Sequence, residues 1–411
     1  MNNYVTKKRI SNPLLSGIIS FILLVVIASV GWIIWSNFWK FIILAIGGSS
    51  ITSLSPEIQG HFLKESVEGT FFWMVISTWV WLTLNLGNFG KYAKTTKQPQ
   101  AGIRYTLMAF LIGLIGFSLF VTLMGIWWEP FNWQTLFRPA NEAQALLAIK
   151  GWAAINFFAL SVILAQIPIV SLFGKYPFSK YSKDSFSVAF GTLCLGLFLA
   201  MFNWVAFIMP SFMSLEMGGA AITSAPFGGW PTALAWCQLF IFFFLIPAEG
   251  GEMYPQKLIT AKQPWSGFVG LAIALAGAFI FLPILRNLLT PLAESTGIAP
   301  DLAVASFTLT IINVMLTWHH HFDDYPNKEI MPSTLGRVLS QFAVVLVVGS
   351  VLGILWIKMV HIWPFGANDL GLGHPMLGLM GGQFVYMMPM LFMNTFFDKW
   401  PMAKSEKVSN D

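Results

Sequence analysis

The chain has 411 residues and a net charge of +5, with 56% hydrophobic and only 10% charged residues. Soluble domains carry about 25% charged residues, so this composition, with a mean hydropathy of +0.69, excludes a soluble globular protein. It predicts an all-α polytopic membrane protein, and no stretch is polar and long enough to form a separate soluble domain.

A helix needs about 20 apolar residues to cross the hydrocarbon core. In chain order, such runs cover residues 13–35, 70–90, 103–127, 148–173, 186–209, 227–248, 265–285, 302–318, 338–362 and 376–397. Residues 1–411 therefore read as one integral domain: a cytoplasmic segment 1–12, a transmembrane region 13–397 with about ten helices, and a cytoplasmic tail 398–411. The first run follows Lys7, Lys8 and Arg9, and its apolar core exceeds that of a cleaved leader, so it reads as an uncleaved signal anchor. "FWKFIILAIGG" (38–48) covers about half a span and is expected to be interfacial or re-entrant.

Lysine and arginine concentrate on the cytoplasmic side of membrane proteins. With the amino terminus inside, most of the 23 basic residues fall on inner segments, among them Lys91, Lys94, Lys175, Lys180, Lys257, Lys328 and Lys399. The 18 acidic residues divide evenly between the two sides. Both termini are thus expected in the cytoplasm, and in a bacterium the chain would sit in the inner membrane. The same distribution accounts for a pI near 9.1 without a nucleic-acid partner.

Two short elements recur. "FGKYPFSK", "GEMYPQK", "FDDYPNK" and "FDKWPMAK" each put an aromatic-Pro pair at the end of an even-numbered span, around Tyr176, Tyr254, Tyr325 and Trp400. "FGKYAKTTK" (89–97) is an earlier copy without the proline. "TKQPQAG" (96–102) and "TAKQPWSG" (260–267) open odd-numbered spans, and "NPLLSG" (12–17) is related. The near-constant spacing predicts tandem two-helix hairpin repeats, inserted in one direction and so parallel rather than inverted.

In "WHHHFDDYPNKE", the loop copy is preceded by His319, His320 and His321. Neighbouring side chains on a helix diverge by about 100°, so three adjacent rings cannot meet at one ion. The metal set that local unwinding would allow is His319, His321 and Asp323, but the expected role is a solvated or headgroup-facing cluster, and no cofactor is expected. The two cysteines, Cys194 and Cys237, lack paired spacing and read as packing residues.

Glu249, Glu252, Arg286 and Lys358 fall at or near span ends, so no charge is expected near the bilayer centre. Neutral amides favour the even spans: Asn85, Asn156, Gln166, Gln238, Asn313, Gln383 and Asn394, against Asn203 and Gln341 on odd ones. The even helices should therefore face one another or an internal cavity, with Asn156, Gln166, Gln238, Asn313 and Gln383 as candidate solute ligands. Pro168, Pro247 and Pro389 remove amide donors within even spans and are candidate gating breaks. Glu249 and Glu252, in "LIPAEGGEMYP", are candidates for proton or cation coupling.

These features favour a transport protein over an enzyme: a multispan permease or secondary transporter of a small neutral or weakly charged solute. The alternatives are a membrane subunit of a redox complex, with a haem or metal site at a helix end, and a non-catalytic anchor. Haem would need axial ligands at matched depth, and only His361 and His374 could share a level. Neither H-E-x-x-H nor G-x-S-x-G occurs, which argues against an intramembrane hydrolase. The expected partners are the lipid bilayer, a small-molecule solute and further copies of the chain or other subunits.

Overall fold

The computed structural model describes residues 4–87, 95–212, 216–217, 220–221, 229–359 and 375–408. Its long helices are α1 (Pro13–Gly47), α2 (Pro56–Asn85), α3 (Gln100–Met124), α4 (Glu142–Ser171), α5 (Ser185–Phe212), α6 (Trp230–Leu245), α7 (Trp265–Thr296), α8 (Pro300–His321), α9 (Thr334–Met359) and α10 (Pro375–Thr395). Eight of them, all but α6 and α10, are long and apolar enough to cross a membrane. The fold is all-α in its core and compatible with an integral membrane protein.

Of the boundaries that differ from those expected, two matter most here. Residues 38–48 form no separate re-entrant piece; they continue α1, which runs unbroken for 35 residues. No proline or glycine interrupts the stretch between Trp32 and Ile46, and hydrogen bonding within a helix outweighs a local excess of hydrophobic length. The helix starts where the Asn12 side chain accepts from the amides of Leu14 and Leu15, and stops at Gly48 (φ 53°), whose amide bonds the Leu44 carbonyl. The second difference is α2, which begins at Pro56 rather than near residue 70 and passes through π-helical turns at Phe72–Ser77 and Val80–Asn85.

The helices sort into two shells. In the apolar windows of α2, α4 and α8, 78%, 67% and 89% of residues are buried, whereas in α1, α3, α5, α7 and α9 the share lies between 22% and 33%. Even-numbered helices form the inside and odd-numbered ones the outside. α2 packs on α4, α4 on α6, α6 on α8 and α8 on α10. The ring closes through Phe72 and Phe384, whose centroids are 5.1 Å apart, and through Trp79, whose indole donates to Thr395 Oγ1. The outer helices leave large apolar side chains exposed, such as Leu107, Leu119, Phe198 and Val347. That pattern suits a hydrocarbon solvent, where only backbone groups need internal partners.

Four helix ends share one backbone path. After α4, α6, α8 and α10, the amides of Lys175, Met253, Asp324 and Lys399 bond the carbonyls six residues earlier, of Ile169, Pro247, Trp318 and Met393. The amides of Tyr176, Tyr254, Tyr325 and Trp400 then bond the carbonyls of Phe173, Gly251, Phe322 and Phe397. Two consecutive residues in each turn are left-handed: Gly174 and Lys175, Glu252 and Met253, Asp323 and Asp324, Asp398 and Lys399. Such residues cost roughly 1–2 kcal/mol each when they are not glycine, and the recovered carbonyl bonds at the helix end offset that cost. The copy at 89–97 lies largely outside the described residues.

The two recurring sequence elements touch. The rings of Phe173, Phe322 and Phe397 cover Gly267, Gly17 and Gly102, near the starts of α7, α1 and α3. A β-carbon at those glycines would lie 2.3, 2.4 and 2.3 Å from the ring. Beside them, Gln263 Nε2 donates to the Leu172 carbonyl at 2.7 Å, and Gln98 Nε2 to the Phe396 carbonyl at 3.1 Å. In the loop after α6 the phenylalanine position is Gly251, and the contact to α9 is made instead by an ion pair between Glu252 and Arg337.

Both chain ends lie on this face. Strands β1 (Tyr4–Lys8) and β2 (Ala403–Lys407) pair antiparallel, Tyr4 opposite Lys407. Asp323 ties them to the loop after α8, accepting from Lys8 at 2.7 Å and Lys399 at 2.9 Å.

Candidate functional site

Helices of the inner ring line a small, partly open cavity of about 40 Å³, formed by Glu68 and Phe72 of α2, Asn156, Leu160 and Ile163 of α4, Leu234 and Gln238 of α6, and Phe384 of α10. That is room for one or two waters. Glu68 sits about 18 Å along α2, near its middle. It was not expected inside the core, because the expected span began after it. Asn156 lines the same cavity as Glu68. Two oxygens of the lining residues, Glu68 Oε2 and Gln238 Oε1, are buried with no hydrogen-bond partner among the described residues. Glu65, one turn earlier, is also buried.

The five amides proposed as solute ligands do not converge. Asn156 and Gln238 share the cavity with Glu68. Gln166 of α4 instead hydrogen bonds Asn85 of α2, an interhelical tie. Gln383 of α10 donates to the Ser306 carbonyl at 2.8 Å and Thr310 Oγ1 at 2.6 Å, and Asn313 donates to the Gln383 carbonyl at 3.2 Å. Asn313 and Gln383 also border a second, mostly apolar cavity of about 500 Å³ between α1, α8, α9 and α10. Of the three prolines, Pro168 and Pro389 lie inside α4 and α10, while Pro247 follows the end of α6.

At the loop face, where α6, α8 and α10 end, a second cluster forms. His319 Nε2 and His320 Nε2 lie 3.7 and 3.5 Å from one oxygen of Glu249, Oε2. The outer nitrogens of both rings are held: His319 Nδ1 lies 2.8 and 2.9 Å from the two oxygens of Asp324, and His320 Nδ1 lies 3.0 Å from the Asn394 amide. Left-handed Asp323 and Asp324 turn the chain back so that Asp324 reaches the helix it follows. Glu249 is one turn beyond the end of α6, its amide bonded to the Leu245 carbonyl at 2.9 Å. Gly250 (φ 85°) keeps space there, since a β-carbon would come within 3.1 Å of Asp324 Oδ1. Burial pushes the Glu249 carboxyl up to about 7, with His319 pulling it down and Asp324 adding to the rise.

The metal set expected from sequence is thus rearranged. His319 stays, but His321 turns to the Met390 carbonyl at 3.4 Å and Asp323 is taken up by Lys8 and Lys399. His320 and Glu249 stand in their place. Two adjacent rings can share a ligand point because Glu249, from another helix, fills the gap of about 100° between them. Glu249 and Glu252 also part company, since Glu252 pairs with Arg337. His361 and His374, the pair considered for haem, lie outside the described residues. Comparison with protein-family models, curated proteins and solved structures found no match to this chain.

Proposed function

We propose that the chain is a multispan permease for a small neutral or weakly charged solute, built from tandem two-helix hairpins with both termini in the cytoplasm. The observation that carries this reading is the cavity inside the inner ring, where Glu68 and Gln238 each present a buried oxygen without a donor. Buried acceptors left unpaired cost about 1–3 kcal/mol each, and a solute or water carrying N–H or O–H groups would supply what they lack. The site is then selective for donors, with Asn156 beside Glu68 in its lining.

Alternating access needs helices that can change shape. The π-helical turns of α2, which include the lining residue Phe72, and the prolines inside α4 and α10 supply weakened backbone next to the cavity. The recurring loop path and the phenylalanine-glycine contacts support a parallel repeat of hairpins. Contacts from the ends of α4, α6, α8 and α10 to the starts of α7, α9, α1 and α3 step three helices each time, as a closed five-membered ring would.

The test is uptake into proteoliposomes, screened across polyols, amides, amines and amino acids. At least one donor-bearing solute should accumulate above protein-free vesicles. If none moves while the reconstituted protein remains monodisperse, the permease reading fails. For orientation, reporters fused after residues 180 and 330 should both report cytoplasm, and a periplasmic signal from either would overturn the assignment.

A further inference from the structure

We infer that Glu249, His319 and His320 form a binding site for one divalent transition-metal ion of the zinc type at the loop-face rim of the inner ring. The inference is independent of the permease reading and stands on three observations. First, two of the three spacings are close to those of a coordination sphere. Ligands about 2.1 Å from a tetrahedral ion lie roughly 3.4 Å apart, and Glu249 Oε2 stands 3.5 and 3.7 Å from the two imidazole nitrogens. All three donor atoms fall within 4.8 Å of one another.

Second, with His319 neutral the facing atoms are both acceptors, so a proton or a metal ion must join them. Asp324 accepts the Nδ1 proton of His319, so the lone pair of the neutral ring is on Nε2 and points towards a carboxylate oxygen. Glu249 Oε2 is buried and has no hydrogen-bond partner among the described residues. The Lys399 ammonium, in the loop after α10, is taken by Asp323 at 2.9 Å.

Third, the outer contacts are those that fix metal-ligating histidines. A carboxylate on the far nitrogen sets the tautomer and raises ligand basicity, and Asp324 does this for His319. In the structure Asn394 turns its Nδ2 to His320 Nδ1, and a half-turn of the amide would present oxygen and do the same for His320. Two imidazoles and one carboxylate suit zinc, cobalt, nickel or iron more than calcium or magnesium, which prefer all-oxygen shells. Three protein ligands leave a fourth position for water or another small ligand.

The experiment uses the full chain in detergent, stripped of metal and titrated with Zn2+ by calorimetry and with Co2+ by visible absorption. One equivalent should bind, with a dissociation constant of about 1 μM or tighter, and Co2+ should give the intense bands of a four-coordinate site. Glu249→Gln and His320→Ala should each weaken binding at least tenfold, while His321→Ala should leave it unchanged. Substoichiometric binding to the wild-type chain would overturn the inference and leave a proton as the bridge. So would Glu249→Gln and His320→Ala chains that bind like wild type, or a Co2+ spectrum of the aqueous six-coordinate ion. The wild-type spectrum decides the matter even if a variant fails to fold.

Discussion

Glu68 is the side chain on which the permease proposal rests most directly. It lies near the middle of a 30-residue helix, is 3% exposed, and keeps one oxygen without a partner. Replacing it with glutamine preserves the shape but exchanges one acceptor oxygen for an amide donor. Uptake of the solute by Glu68→Gln vesicles is expected to fall about tenfold at equal reconstituted protein, because a buried donor left facing an amide nitrogen goes unpaired at a cost of about 1–3 kcal/mol. Unchanged uptake would place the solute elsewhere. The residue was hard to read in advance for a physical reason. The α2 window has a mean hydropathy of 1.3, the lowest of the eight spanning helices, yet 78% of it is buried. A helix enclosed by other helices does not need the apolar composition that lipid demands, so a hydropathy reading starts it too late. Asn156 and Gln238 were legible as polar groups in apolar runs; their shared cavity was not.

The unit that organises the fold is the helix end together with the helix start it leans on. Each recurring element was visible as a string of residues, "FDDYPNK" or "TAKQPWSG", but nothing in either string says that the phenylalanine of one covers the glycine of the other. The contact predicts a specific failure. In Gly267→Ala the new methyl group would meet Phe173 at 2.3 Å, closer than real β-carbons approach anything. Overpacking of this kind costs about 1–3 kcal/mol, so the midpoint of thermal unfolding in detergent should drop by several degrees. Phe173→Leu should return part of that loss in the double variant although it destabilises alone. Strict additivity of the two changes would show that they do not touch. The long α1 teaches the complementary lesson. Residues 38–48 looked like a separate piece because a bilayer accommodates only about 20 residues, but a helix can tilt or project beyond the hydrocarbon, and nothing in this sequence breaks it.

Across the whole molecule, the chain ends are brought together and pinned. β1 pairs with β2, and Asp323 joins Lys8 to Lys399. Burial alone would raise the Asp323 carboxyl, but hydrogen bonds and charge from Lys8 and Lys399 outweigh it and hold the group below its ordinary value. A depressed carboxylate stabilises the folded arrangement above its ordinary pKa and loses that contribution as pH falls through the folded value. The terminal strands should therefore stay protected from protease at neutral and mildly acidic pH and become exposed only under strongly acidic conditions. Asp323→Asn should expose them at neutral pH. Lys8 is more than half exposed, so the effect on global stability should stay below about 1 kcal/mol, and proteolysis of residues 4–8 is the sensitive measurement. Protection that does not change with Asp323→Asn would assign the latch to the strand pairing alone.

Composition and the spacing of apolar runs, without any tertiary information, determined that the chain is helical and suited to a membrane, and the bias of amides toward alternate runs marked the helices that turn inward. Those properties are set residue by residue, by transfer of side chains between water and hydrocarbon and by the need to pair buried polar groups. Which amides meet, where Glu68 lies, and which two of three adjacent histidines face Glu249 were decided only by tertiary structure. Each of those depends on the angle at which one helix ends against another, and side chains from helices tens of residues apart become neighbours through packing that no local pattern encodes.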